Sequence, residues 1–85
     1  MPYIKSEDRG RFESWLIESD NDAHPETEGE LNYILTRLVH QWLGGKPNYA
    51  KFNAAIGVME SAKLELYRRM VAPYEDIKIA ENGDV

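Results

Sequence analysis

Apolar residues recur every three or four positions in three stretches of this chain, each between a helix start signal and a helix breaker. This spacing gathers the apolar side chains on one side of an α-helix. Only residues 73–85 also admit an extended strand, and a single strand has no partner with which to form a sheet. The pattern therefore predicts an all-α protein.

The first helix is predicted over residues 7–18, with Ser6 as its N-cap. Phe12, Trp15 and Leu16 share one face of this helix. The following residues, 19–24, are polar and without a period, so the helix is expected to end there.

The second helix has the best-defined start in the chain and is predicted over residues 28–43. Thr27 and Glu30 form the pattern of a capping box, in which each residue bonds the backbone N–H of the other. Gly44 and Gly45 follow the last apolar residue and are typical of a helix end.

The third and longest helix is predicted over residues 49–72, from an N-cap at Asn48 to a stop at Pro73. It carries two stripes. The large stripe contains Phe52, Ile56, Met59, Ala62 or Lys63, Leu66 and Met70, and the second, mostly of small residues, contains Ala54, Gly57, Val58, Ser61 and Leu64.

These elements predict one domain over residues 1–85: three helices built on the long third one, with a short C-terminal tail over 73–85. Tyr74, Ile77 and Ile79 in the tail fit either a short helix or a strand. Gly57 interrupts the third helix at a cost of about 1 kcal/mol relative to alanine, which suggests the close approach of another backbone.

The composition argues against some classes of function and points to none in particular. The chain has 85 residues, no cysteine and a net charge of −5. General binding to nucleic acid is not predicted for an acidic chain, since such binding depends on clustered Lys and Arg. Without a signal-peptide pattern or a membrane-length apolar run, the predicted location is the cytoplasm.

No catalytic, metal or cofactor site is predicted. His24 and His40 lack the spacing that puts two metal ligands on one helical face, and residues 20–31 depart from a calcium loop at Pro25 and Leu31. His40 has no carboxylate one turn away to orient it as a base. Trp15 and Trp42 lie on apolar faces and are predicted to be core residues rather than stacking platforms, whereas Tyr33 is predicted at the surface.

One basic group remains as a candidate ligand site: Tyr67, Arg68 and Arg69 near the end of the third helix. Cations in this position also stabilise a helix end and pair with acids one turn away, which is the simpler interpretation. The functional alternative is an anion pocket that these residues complete with Lys46 and Lys51 from the loop end of a neighbouring chain.

Self-association is the predicted partner interaction, as a homodimer through the face of Ala54, Gly57 and Ser61. A chain this small has a limited core, and a second copy would cover the stripe that the other helices leave open. The alternative is that the first two helices cover both stripes within one chain.

Several segments resemble a family of short uncharacterised proteins of bacteria and their phages. The resemblance lies in residues 1–9, 29–33, 65–69, 72–76 and 81–85, which begin with MPYI and close with ENGDV. It covers nearly the whole chain and implies no activity. Its phage members suggest a role in inhibiting or sequestering host factors.

Two hypotheses on function follow. The first is a non-catalytic helical interaction module that acts on a protein partner and forms a homodimer. The alternative is a phage-type sequestering or inhibitor protein that binds a small anionic ligand.

Overall fold

The computed structural model describes residues 3–18 and 24–85, without the side chains of residues 14, 15, 17 and 18. A short 3₁₀ helix at Ser6–Asp8 precedes α1 (Gly10–Glu18) and α2 (Glu28–Leu43). Three further segments follow one another without a break: α3 (Tyr49–Leu66), a π-helical turn (Tyr67–Val71) and α4 (Ala72–Asn82). Together they make one helix of 34 residues, called the long helix below. The described ranges contain no strand, and the all-α prediction is confirmed.

The chain divides into two units, Met1–Trp42 and Leu43–Val85. The first unit contains α1 and α2, and the second consists of the long helix and the loop before it. The predicted single domain over residues 1–85 stays a prediction.

The start of the first helix differs from the prediction at Ser6. Ser6 lies inside the 3₁₀ turn, where its carbonyl accepts the N–H of Arg9, and the turn has no side-chain cap. The guanidinium of Arg9 instead donates two hydrogen bonds of 3.2 Å to the carbonyl of Ile4. The first helix thus begins as a 3₁₀ turn and continues as α1 from Gly10. The side chain of Trp15 and residues 19–23 of the predicted break over 19–24 lie outside the described residues.

The second helix confirms its capping box and its bounds. The N–H of Glu30 donates to Thr27 Oγ1 at 3.1 Å, and Glu30 Oε1 accepts from the N–H groups of Thr27 and Glu26 at 3.3 and 2.8 Å. The bonds from Glu26 and Thr27 lower the pKa of Glu30 because they favour the charged carboxylate. Gly44 follows α2 with φ of +78°, a conformation that side chains other than glycine rarely adopt.

The long helix begins as predicted, but it does not end at Pro73. Asn48 caps α3, accepting the N–H of Lys51 at 2.9 Å. The predicted helix end at residue 72 and the predicted tail over 73–85 are wrong, because α4 runs through Pro73 to Asn82. Of the two alternatives for the tail, the helix is correct, and Gly83 ends it with φ of +86°.

The π-helical turn explains how the helix passes Pro73. Proline has no N–H, and in a regular α-helix its ring collides with the carbonyl four residues before it. Just before the proline, the N–H of Ala72 bonds the carbonyl of Tyr67, five residues back. The wider turn gives the ring room, so the helix continues instead of breaking.

Little apolar surface is buried among the described residues. Ala55 is the one buried residue, with 5% of its surface exposed. Trp42, predicted to be a core residue, is 51% exposed. Tyr33 is 62% exposed, which confirms its predicted surface position.

Candidate functional site

The predicted basic group lies on the π-helical turn, which holds Tyr67, Arg68 and Arg69. Two of the three side chains are engaged with acids of the same helix. Tyr67 Oη donates to Glu75 Oε2 at 2.9 Å, and Arg69 Nε forms an ion pair with Glu65 Oε1 one turn before it. Arg69 therefore fits the simpler interpretation, in which these cations pair with acids of their own helix.

The bond between Tyr67 and Glu75 depends on the π-helical turn. In a regular α-helix, residues eight apart are rotated by about 80° from one another around the axis. A π turn takes more than four residues and so removes most of that rotation. It brings Glu75 onto the same side of the helix as Tyr67, within hydrogen-bonding distance.

This contact also changes the acidity of the phenol. The hydrogen bond to Glu75, and then the negative charge of that carboxylate, raise the pKa of Tyr67 above its ordinary value. Both effects favour the protonated phenol. Tyr67 is therefore a hydrogen-bond donor held by the helix, and not a group prepared to act as a base.

Arg68 differs from its two neighbours. It makes no hydrogen bond or ion pair with any residue that the structure describes. Its guanidinium is thus available to an outside carboxylate or phosphate, for which its planar donors are suited. A single exposed contact of this kind is weak.

A single chain does not bring the two halves of the predicted anion pocket together. Lys46 lies in the loop before α3 and Lys51 in its first turn, whereas Tyr67 lies about 24 Å further along the same helix axis. Lys46 makes no ion pair within the described part of the chain. The pocket therefore requires a second molecule, as the sequence analysis supposed.

The largest feature of the long helix is its exposed apolar stripe. Five members of the large stripe keep between 42% and 66% of their surface exposed: Phe52, Ile56, Met59, Leu66 and Met70. Lys63 lies among them and pairs with Glu60 at 2.9 Å. Polar and charged residues are expected on the outside of a helix, so this density of exposed apolar side chains is unusual for the surface of a single chain.

The small-residue face is open as well. A Cβ added to Gly57 would have no atom within 4 Å, apart from its own stretch of helix. Val58 and Leu64 on this face are 61% and 57% exposed. The close approach predicted at Gly57 is therefore not made by any residue that the structure describes.

Sequence reasoning missed Glu75 as a partner of Tyr67. The usual signal for paired side chains on a helix is a spacing of three or four residues, and these two are eight apart. The only pointer in the sequence was Pro73, whose place inside a helix demands a local change of geometry.

The first unit offers a shallow depression of about 600 Å³ at the start of α2. Glu30, which is part of its wall, is already bound to the backbone of the capping box. His24, Pro25, Thr27, Gly29, Tyr33 and Ile34 complete the lining. Among the described residues, no group of three or more His, Asp or Glu side chains is placed to hold a metal ion.

The fold and the surface define a class: a small helical protein whose main feature is a long helix with two exposed apolar faces. No described helix has the length and apolarity that a membrane crossing requires. The chain belongs to the family Domain of unknown function (DUF6899), which matches residues 1–85. Searches of curated proteins and of solved structures returned no match.

Proposed function

We propose that this protein is a non-catalytic helical interaction module of the cytoplasm, which forms a homodimer through its long helix and acts on a protein partner. The observation that carries the proposal is the exposed apolar stripe of that helix. The family match, which covers the whole chain, is to a domain without an assigned activity.

The energetics of the second unit support self-association. A single helix without tertiary packing is marginal in water, since its nucleation is unfavourable and its apolar side gains nothing from exposure. In the unit Leu43–Val85, only Ala55 is buried. Covering the stripe with another helix would supply the packing that stabilises most protein helices.

Two faces of the long helix compete for this role. The sequence favours the face of Ala54, Gly57 and Ser61, because small residues allow two backbones to approach closely. The large stripe has the bulkier apolar side chains, such as Phe52 and Ile56, and hence the greater hydrophobic gain on burial. Both faces are open in the structure.

Sedimentation velocity over a range of micromolar concentrations tests the proposal directly. A dimer that dissociates on dilution supports it, because the two chains bury an apolar face together. Ile56→Glu on the large stripe and Val58→Glu on the small-residue face place the same charge two residues apart. Loss of the dimer in only one variant identifies the face, and a wild-type protein that stays at monomer mass contradicts the proposal.

The alternative function is that of a sequestering or inhibitor protein, of the kind found in phages, that binds a small anionic ligand. It is favoured by one observation: the guanidinium of Arg68, beside Arg69, has no partner among the residues that the structure describes. Native and denaturing mass spectrometry of the purified protein would reveal a co-purified ligand. In Arg68→Ala/Arg69→Ala the ligand should be absent while the helix content stays unchanged, and retention of the ligand contradicts this alternative.

A further inference from the structure

We propose that the long helix pairs with a second copy of this chain in antiparallel orientation, large stripe against large stripe, with its centre near residue 61. This inference rests on the proposed self-association and specifies its geometry. Three features of the long helix support it: the spacing of the stripe, the exposed apolar area and the distribution of charge.

The stripe alternates steps of four and three residues. Its positions 52, 56, 59, 63 and 66 average 3.5 residues per turn, and position 70 follows four residues later. This is the repeat of helices that wind around each other with interlocking side chains, and it keeps one seam facing the partner over several turns.

The exposed area is sufficient for a stable pair. The five apolar side chains of the stripe are each roughly half exposed. With about 200 Å² for a side chain of this size, they leave on the order of 500 Å² per chain. Two copies would then bury on the order of 1,000 Å² from these residues alone, which reaches the lower limit for a biological interface.

Lys63 selects the orientation, because it lies within the apolar seam. In a parallel pair in register, its ammonium group would face the same group of the second copy. In an antiparallel pair centred near residue 61, Lys63 lies opposite Met59 of the second copy, and Glu60 remains beside it at 2.9 Å. A buried meeting of two cations is therefore avoided only in the antiparallel pair.

The distribution of charge along the helix agrees with this orientation. Residues 52–59 include no charged side chain, whereas residues 63–69 contain Lys63, Arg68 and Arg69 with one acid, Glu65. A parallel pair would place the two cationic segments side by side. The antiparallel pair instead places each beside an uncharged segment, which costs no charge repulsion.

The two ends of the long helix are complementary as well. Lys46 lies in the loop just before it and Lys51 in its first turn, whereas α4 contains Glu75, Asp76 and Glu81 with one cation, Lys78. With the centre near residue 61, Lys46 of one copy is level with Asp76 of the other. Lys46 of the predicted anion pocket then meets a carboxylate of the second copy instead of a separate ligand.

Disulfide trapping tests the orientation, and the chain suits it because it contains no cysteine of its own. Ile56→Cys and Leu66→Cys are prepared separately, mixed while reduced, and then oxidised. The antiparallel pair places residue 56 opposite residue 66, so the mixed disulfide should predominate. In a parallel pair these positions lie about 15 Å apart along the axis, too far for a disulfide.

The matched control pair is Val58→Cys and Leu64→Cys. These two positions lie on the small-residue face, and residue 61 is their midpoint, as it is for positions 56 and 66. Same-variant disulfides at 56 and 66 would overturn the antiparallel orientation. Mixed disulfides only in the control pair would overturn the choice of face. These failures differ from that of the proposed function, in which the cysteine-free protein remains monomeric in sedimentation.

Exchanging the charges at residues 46 and 76 gives a second test of the register, which needs no added cysteine. Lys46→Glu should weaken the dimer by about fivefold, since two exposed ion pairs are lost from each dimer. Adding Asp76→Lys should restore the wild-type dissociation constant, as the exchanged charges attract again. If the double variant dimerises no better than Lys46→Glu, the proposed register is contradicted.

Discussion

At the scale of single residues, hydrogen bonds to backbone N–H groups fix where α2 begins. Thr27 and Glu30 satisfy donors that have no partner within the helix itself. The carboxylate of Glu30 serves two such donors, which keeps it charged and lowers its pKa. This polar pair thereby fixes the start of α2, whereas the spacing of apolar residues specifies most of the helix that follows.

Replacing Thr27 with alanine should therefore lower the free energy of unfolding by about 1 kcal/mol. The hydroxyl that accepts the N–H of Glu30 is lost, and that donor is left to water. Thermal denaturation followed by circular dichroism measures the change. Thr36→Ala removes the same group from the exposed middle of α2 and should leave the stability equal or slightly higher; equal losses in the two variants would contradict the role of the cap.

The second prediction concerns Tyr67 and its acid partner Glu75. The folded-state pKa of Tyr67 is raised, so its contribution to stability is complete below the ordinary tyrosine pKa and is lost as the pH rises through the raised value. Glu75→Gln should lower the pKa of Tyr67 towards the ordinary value, because the charge that opposes ionisation is removed.

Carbon-13 labelling of the tyrosine rings, followed by titration in an NMR spectrometer, resolves Tyr67 from the other four tyrosines. Asp76→Asn is the control, since Asp76 contributes least to the raised pKa. A pKa that falls as far in the control as in Glu75→Gln would show that general charge, and not the hydrogen bond, holds the phenol.

At the scale of elements, the π-helical turn decides whether the chain after residue 72 is helix or tail. Pro73→Ala restores an N–H and removes the ring, so the turn should return to regular α geometry and the free energy of unfolding should rise by up to about 3 kcal/mol. Glu75 would then rotate away from Tyr67.

Two measurements check this prediction together. Hydrogen exchange at residues 72–77 should slow in Pro73→Ala, and the pKa of Tyr67 should fall as it does in Glu75→Gln. Persistence of the raised Tyr67 pKa in Pro73→Ala would show that the turn is not caused by the proline.

The elements also show what the sequence could and could not predict. The bounds of α2 followed from Thr27, Glu30 and Gly44, because each acts through a local bond or a backbone angle. The helix end at Pro73 was wrong, since a proline stops a regular helix but not one that widens before it. The acid Glu75 was out of reach for the same reason: its position beside Tyr67 exists only once the turn is known.

At the scale of the whole molecule, the main feature to explain is the amount of apolar surface that stays exposed. The open stripe of the long helix contains the side chains that a small protein would ordinarily use as its core. No spacing rule predicts whether such a stripe is covered by the same chain or by another, since both arrangements use the same pattern. This is why the sequence predicted the stripe correctly and left its partner open.

If a second copy covers the stripe, the melting temperature should depend on protein concentration. Dimers that dissociate on unfolding gain stability with concentration by mass action, so each tenfold dilution should lower the melting temperature by a few degrees. Calorimetry at several concentrations measures this shift. The Ile56→Glu variant should show no such dependence, and a constant melting temperature for the unaltered protein would contradict self-association.

The π-helical turn has one more consequence, for how this surface can change in evolution. α4 continues directly from the π-helical turn, so the number of residues in the turn sets the rotation of α4 about the helix axis relative to α3. Removing a single residue there would turn Tyr74, Ile77 and their neighbours by about 100° as a block. One deletion would thus give the chain a different exposed surface without altering any of the side chains that compose it.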